Sequence, residues 1–184
     1  MSIELLDMTK TPSQLFSSRL ERIAFTQQII KDLDNLDNIK KKQLKTDFLL
    51  DSYILNLVAN WQVFIEELLE YGLHEILKKT SDDNIKKVLS NNYYDSVKRF
   101  NSPNTENIDL IFMKVLGIIK ITNCLESQLE NKLKINNTLK IRHQIAHKGC
   151  STEVLNYEAN FEIMQFFFDC AKKLEQVVKD KIRE

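Results

Sequence analysis

Only three glycines and two prolines interrupt 184 residues. Glycine supplies left-handed backbone and proline breaks hydrogen-bonded ladders, so a chain this poor in both has few built-in turns. It is suited to a few long elements rather than many short ones. Its abundant Lys, Leu, Glu and Gln are good helix formers.

A walk along the chain fills in that frame. Thr11-Pro12-Ser13-Gln14 reads as a helix start, with Thr11 as cap, Pro12 at the first helical position and Gln14 closing a capping box. Leu15, Leu20, Ile23, Ala24, Ile30 and Leu33 continue the helical spacing, and 34–42 is a polar, lysine-rich loop or frayed start. A long helix is predicted over 45–79, with Leu55, Val58, Ala59, Ile65, Leu68, Leu69, Gly72, Leu73 and Ile76 on its apolar face. Short helices are predicted over 81–89, begun by Ser81, and over 92–100. Ser102-Pro103-Asn104 makes a turn. Further helices are predicted over 107–116, stopped by Gly117, over 125–134 and over 137–148. Gly149-Cys150-Ser151 breaks the chain before a last helix over 154–181. No segment keeps strand alternation. The expected architecture is an all-α helical bundle of four to five main helices with short extra ones. It forms a single domain over 1–184, with a helix and linker over 1–44 and the core over 45–184.

Composition excludes several function classes. Lys and Arg (26) balance Asp and Glu (26), so no whole-surface field attracts a polyanion, and any nucleic-acid contact must be local. Cys124, Cys150 and Cys170 are odd in number and lack ligand spacing, which fits reduced thiols and a cytoplasmic setting. Residues 1–10 carry Glu4 and Asp7 and no long apolar run, unlike a signal peptide. The apolar stretch 111–121 is broken by Lys114 and Lys120, so no membrane span is expected there. His74 lies far from the other histidines, and no metal or cofactor constellation is visible.

The chemistry concentrates in Arg142-His143-Gln144-Ile145-Ala146-His147-Lys148-Gly149, which holds two of the three histidines and one of the few arginines. Arg is a permanent cation with a planar fork of donors, and His titrates near neutrality. His143 and His147, four apart, share a helix face. Arg142 and His147, five apart, diverge by about 140° on a straight helix. They would meet on one phosphate only through a bend or through a second copy of the chain. A plainer alternative is a basic last turn, His147 and Lys148 before Gly149, complementing the helix macrodipole.

This octapeptide resembles the Arg-x4–6-His motif of the HEPN superfamily (higher eukaryotes and prokaryotes nucleotide-binding). The Leu57-Val58-Ala59-Asn60-Trp61-Gln62-Val63-Phe64-Ile65-Glu66-Glu67-Leu68 run looks like the long early helix of its RiboL-PSP-HEPN branch. Phe100-Asn101-Ser102-Pro103, Ile111-Phe112 and Leu116-Gly117-Ile118 are similar to that branch's middle region. The resemblance implies a homodimer whose motif residues line a cleft between protomers. Many members are metal-independent endoribonucleases in toxin or antiphage systems, and others are non-catalytic binding or assembly modules. RNA, a second copy of the chain, and an antitoxin or other defence-system protein are the implied partners.

RNA carries its own nucleophile, the 2′-hydroxyl. An enzyme has only to move two protons and stabilise charge on phosphorus. His147 fits the acid–base work, and Arg142 fits the phosphoryl oxygens. His143, where the family usually has a polar residue, could orient the phosphate or His147, or share the proton work. Lys148 is a supporting cation. Gln62 stands where an early-helix Glu is expected in such proteins. Glu66, one turn on, is the candidate acid, against the alternative of a solvent-facing glutamate.

Other features have structural readings beside functional ones. Phe161, Phe166, Phe167 and Phe168 suit core or dimer packing more than base stacking. Lys40-Lys41-Lys42 with Lys45 is a solvated charge run or an RNA-steering one. Tyr93-Tyr94 with Lys98 and Arg99 could contact RNA or pack at a helix start. Trp61 reads as core.

Overall fold

A computed structural model describes residues 10–36, 40–125 and 127–183. Glu4 and Asp7, and the middle of the expected 34–42 linker, lie outside the described residues. The described residues form six α-helices, a 3-10 turn and no strand. They are α1 (Pro12–Asp34), α2 (Lys42–Lys79), α3 (Asp83–Val97), α4 (Thr105–Leu116), α5 (Gln128–Lys148) and α6 (Tyr157–Arg183), with the 3-10 turn Ile121–Cys124 before α5.

The long helix α2 is the axle of the bundle, packed against each of the other five helices. Its length and apolarity would allow a membrane span, but its apolar side chains face other helices. Tyr53, Ile54, Leu57, Trp61, Phe64, Ile65 and Leu68 are completely buried. Each such side chain stabilises the fold by about 1.5–3 kcal/mol relative to exposure. Phe16 from α1 and Phe167 from α6 close on Trp61, with ring centroids 6.0 and 5.0 Å away. The Trp61 indole N–H donates to the Pro103 carbonyl at 3.2 Å, which ties the α3–α4 connection to the core. Of the expected apolar face, Val58, Ile65, Leu68, Leu69, Gly72 and Leu73 are buried; three positions depart from it. Ala59 is exposed, and Leu55 and Ile76 are only half-buried. The aromatic residues, left out of the expected stripe, claim the centre because they remove the most apolar area from water.

Local chemistry explains most element ends. The Thr11 N–H donates to Gln14 Oε1 at 2.8 Å, the return half of the capping box. Gly117 (φ 72°) and Gly149 (φ 79°) end α4 and α5 in the left-handed region. Four expectations are corrected. Asp82, not Ser81, caps α3, accepting from the N–H groups of Asn84 and Ile85 at 2.8 and 3.2 Å. The two short helices expected over 81–100 are one, because Ser90 and Asn91 are mild formers and no Gly or Pro separates the halves. The helices expected over 125–134 and 137–148 also fuse, into α5. Asn136 sits inside it and accepts from the Thr105 N–H at 3.2 Å, so tertiary contact holds a poor helix former in place. Finally, α6 begins at Tyr157 rather than Val154. Asn156 accepts from the Ala159 N–H at 2.8 Å and caps it.

Candidate functional site

The octapeptide forms the last two turns of α5. Ile141 and Ile145 are buried and fix the roll of the helix. With them held inward, His143, Ala146, His147 and Lys148 are exposed, and Arg142 lies half-buried on the flank. The imidazoles of His143 and His147 stand 4.2 Å apart, centroid to centroid. Gly149 closes the helix with its N–H on the Ile145 carbonyl at 2.9 Å. Its φ of 79° is open to glycine at no steric cost.

No bend intervenes, since α5 is continuous through Lys148. One protomer therefore does not gather Arg142 and His147 on one face; they leave the axis about 140° apart. Arg142 makes no hydrogen bond or ion pair among the described residues. A half-buried guanidinium with no carboxylate partner among the described residues has donors to offer an anion.

The segment after the motif is pinned to the first third of α2. The Ser151 N–H donates to Asp51 Oδ1 at 3.3 Å, and the Asn160 amide donates to the Leu50 carbonyl at 3.3 Å. The Thr152 hydroxyl meets Gln144 Oε1 at 2.9 Å. Burial raises the Asp51 carboxyl above its ordinary value, and the Ser151 amide offsets part of that rise. Sequence reasoning missed Asp51 and Asn160. Each acts on a partner about a hundred residues away, so no local spacing marks it.

Gln62 and Glu66 make no hydrogen bond or ion pair with Arg142, His143 or His147. The Gln62 amide donates to Glu66 Oε1 at 3.0 Å and to the Phe100 carbonyl at 3.1 Å. Glu66 is half-buried, so it is neither the solvent-facing glutamate nor, within one chain, a partner of the motif. The two donated bonds account for glutamine at 62, because a carboxylate there could donate neither.

The other candidate patches divide between packing and solvent. Phe167 is completely buried and Phe166 and Phe168 half-buried against the core, while Phe161 is exposed. Lys42 donates to the Asp34 carbonyl at 2.9 Å and clasps the α1–α2 turn. Tyr93 is buried beside α2, while Tyr94, Lys98 and Arg99 are exposed. Burial pushes the thiols of Cys124 and Cys170 up to about 11 and about 12, far from reactive thiolates. Among the described residues no group of three His, Cys, Asp or Glu side chains is arranged to hold a metal ion.

The family model described as RiboL-PSP-HEPN matches residues 21–182. The chain belongs to the RiboL-PSP-HEPN family. The match runs from the middle of α1 to the end of α6 and takes in the whole α5 motif. Membership places this HEPN domain among RNA-related or defence modules. HEPN domains are often ribonucleases and commonly dimerise. Comparisons with curated proteins and with solved structures gave no significant match.

The outer face of α5 in this HEPN domain has one more property. At 100° per residue, Leu129, Leu133, Lys140, His143 and His147 fall within about 40° of a single line. Leu129 and Leu133 are 77% and 51% exposed. The histidines thus share their face with unpartnered apolar side chains. Leu44 and Phe48 are exposed as well, within two turns of Asp51 on α2.

Proposed function

We propose that this HEPN domain is a metal-independent endoribonuclease that acts as a cytoplasmic homodimer in a toxin or antiphage defence system. The observation that carries the reading is the half-buried Arg142 guanidinium, without an ion pair among the described residues, on the same helix end as two exposed imidazoles at the family's motif. In the proposed site the ends of two α5 helices meet across a two-fold axis. The guanidinium of one protomer then complements the imidazoles of the other, which removes the difficulty of their divergence within one chain. One His147 takes the proton from the RNA 2′-hydroxyl and the other protonates the leaving 5′-oxygen. Arg142 stabilises the extra charge on the phosphoryl oxygens, and His143 and Lys148 hold the phosphate. The products are a 2′,3′-cyclic phosphate and a 5′-hydroxyl. Exposed Leu129 and Leu133 support a face that becomes covered.

The test is purified protein with single-stranded RNA in EDTA. Cleavage is expected to persist in chelator and to disappear in His147→Ala and Arg142→Ala variants whose circular dichroism is unchanged. Full activity of both variants rejects the reading.

A second reading is a non-catalytic HEPN module that dimerises or binds a defence-system partner. One observation favours it: the Gln62 amide is committed to Glu66 and Phe100, so neither Gln62 nor Glu66 bonds to the motif within one chain. Expression in a bacterial host separates the two. A nuclease arrests growth and the motif substitutions relieve the arrest, whereas a scaffold does neither.

A further inference from the structure

A cleft of about 620 Å³ opens between α3 and α4, with no α5 residue in its lining. That volume falls in the ~300–1,000 Å³ range of small-molecule sites. Asn92 and Asp95 line it from one face of α3, and Arg99 from the turn just past the helix's C-terminus. Lys114 and Asn107 face them from α4, and buried Ile111 and Phe100 contribute an apolar floor. The two walls are fastened where the Asn92 amide donates to the Lys114 carbonyl at 2.7 Å.

The charges are the informative part. Arg99 and Lys114 make no ion pair among the described residues, although Asp95 lies only four residues before Arg99. Two cations held across a cleft call for an anion. An apolar floor and amide walls call for a flat body with hydrogen-bonding edges. The Asp95 carboxylate opposes a bare inorganic anion and favours a ligand that also presents N–H donors. A phosphate joined to a nucleobase satisfies all three.

We propose that the α3–α4 cleft binds one nucleotide of an RNA strand, its phosphate between Arg99 and Lys114 and its base over Ile111 and Phe100. Asn92 and Asp95 face the donor edge of the base. This rests on the RNA reading of the domain and gives it a second grip on the strand, away from the α5 motif. Lys98 and Tyr94, nearby in sequence, are not part of the cleft lining.

The test measures binding of a fluorescent 2′-O-methyl RNA oligonucleotide by anisotropy. That probe lacks the 2′-hydroxyl nucleophile and so cannot be cut by the proposed chemistry. The Arg99→Gln/Lys114→Gln double variant is expected to bind about tenfold or more weakly and to lower the slope of log K against log salt by about 1.4. Lys98→Gln serves as the neighbouring-charge control and is expected to bind as the wild type does. Wild-type affinity in a folded double variant overturns the proposal, as does an equal loss in Lys98→Gln or a wild-type protein that binds no oligonucleotide. The two readings fail separately. Cleavage that depends on His147, with binding indifferent to the double substitution, sinks the cleft and leaves the nuclease standing. Binding that depends on the cleft in a protein that cuts no RNA supports the cleft and rejects the nuclease.

Discussion

The imidazole rings of His143 and His147 stand 4.2 Å apart on the exposed face of α5, tilted by 51° to one another. Two imidazoles in contact on one helix face, close to a glycine-capped helix end, can share a proton network. In the proposed dimer His147 moves the proton and His143 orients. His147→Ala is then expected to lower kcat by about 10²–10⁴-fold, and His143→Ala by clearly less. Single-turnover cleavage of a defined RNA measures both. Equal losses would remove the division of labour.

Gln62→Glu tests the early helix. The Gln62 amide donates to Glu66 and to the Phe100 carbonyl, and the substitution turns both bonds into acceptor–acceptor contacts. The variant is expected to lose about 1–3 kcal/mol near neutral pH. The introduced carboxyl would have a raised native pKa, so the penalty should shrink as pH falls and it gains a proton. Urea midpoints at pH 7 and pH 5 read this directly. A variant as stable as wild type at pH 7 would mean that the two bonds do not hold glutamine at this position.

Glu175 provides a native acid-stability probe. Burial alone would raise its carboxyl, but the Lys179 ammonium and the Ser13 amide, the latter at 2.7 Å, outweigh burial and hold it below the ordinary value. Between the lowered native pKa and the unfolded one, the unfolded chain binds more protons, so stability rises with pH there. The contribution is complete above the unfolded value and is lost as pH falls through the native one. Glu175→Gln is therefore expected to cost about 1–3 kcal/mol at pH 7, with the gap from wild type closing toward pH 3. A pH-independent gap contradicts this account.

Gly149→Ala isolates backbone strain at the end of the motif helix. A Cβ at this position meets nothing within 4 Å, yet φ is +79°. The expected cost is thus conformational, about 1–2 kcal/mol. Gly149→Asn should cost less, since asparagine tolerates the left-handed region. Thermal unfolding of both variants checks the order. Equal stability of Gly149→Ala and wild type would show that the helix end does not need the left-handed residue.

The motif itself was legible in the chain because its elements are local. The His143–His147 face and the Gly149 stop both come from spacing within a few residues. The bundle was legible too, from scarce Gly and Pro and helical periodicity. Less visible were the fusions within 81–100 and 125–148. There mild helix formers such as Asn91 and Asn136 read as breaks until packing, in the case of Asn136 the Thr105 contact, overrode their propensity.

The sequence alone determined an all-helical chain and placed Arg142, His143 and His147 on one terminal helix segment, since helix pitch converts spacing into direction. The tertiary structure decided which way that segment rolls, through buried Ile141 and Ile145. It also decided that Asp51 and Asn160 anchor the chain just beyond Gly149, and that the Gln62 amide is committed elsewhere. Those outcomes depend on pairs of residues roughly forty to a hundred apart, and such pairs exist only once the chain has closed on its core.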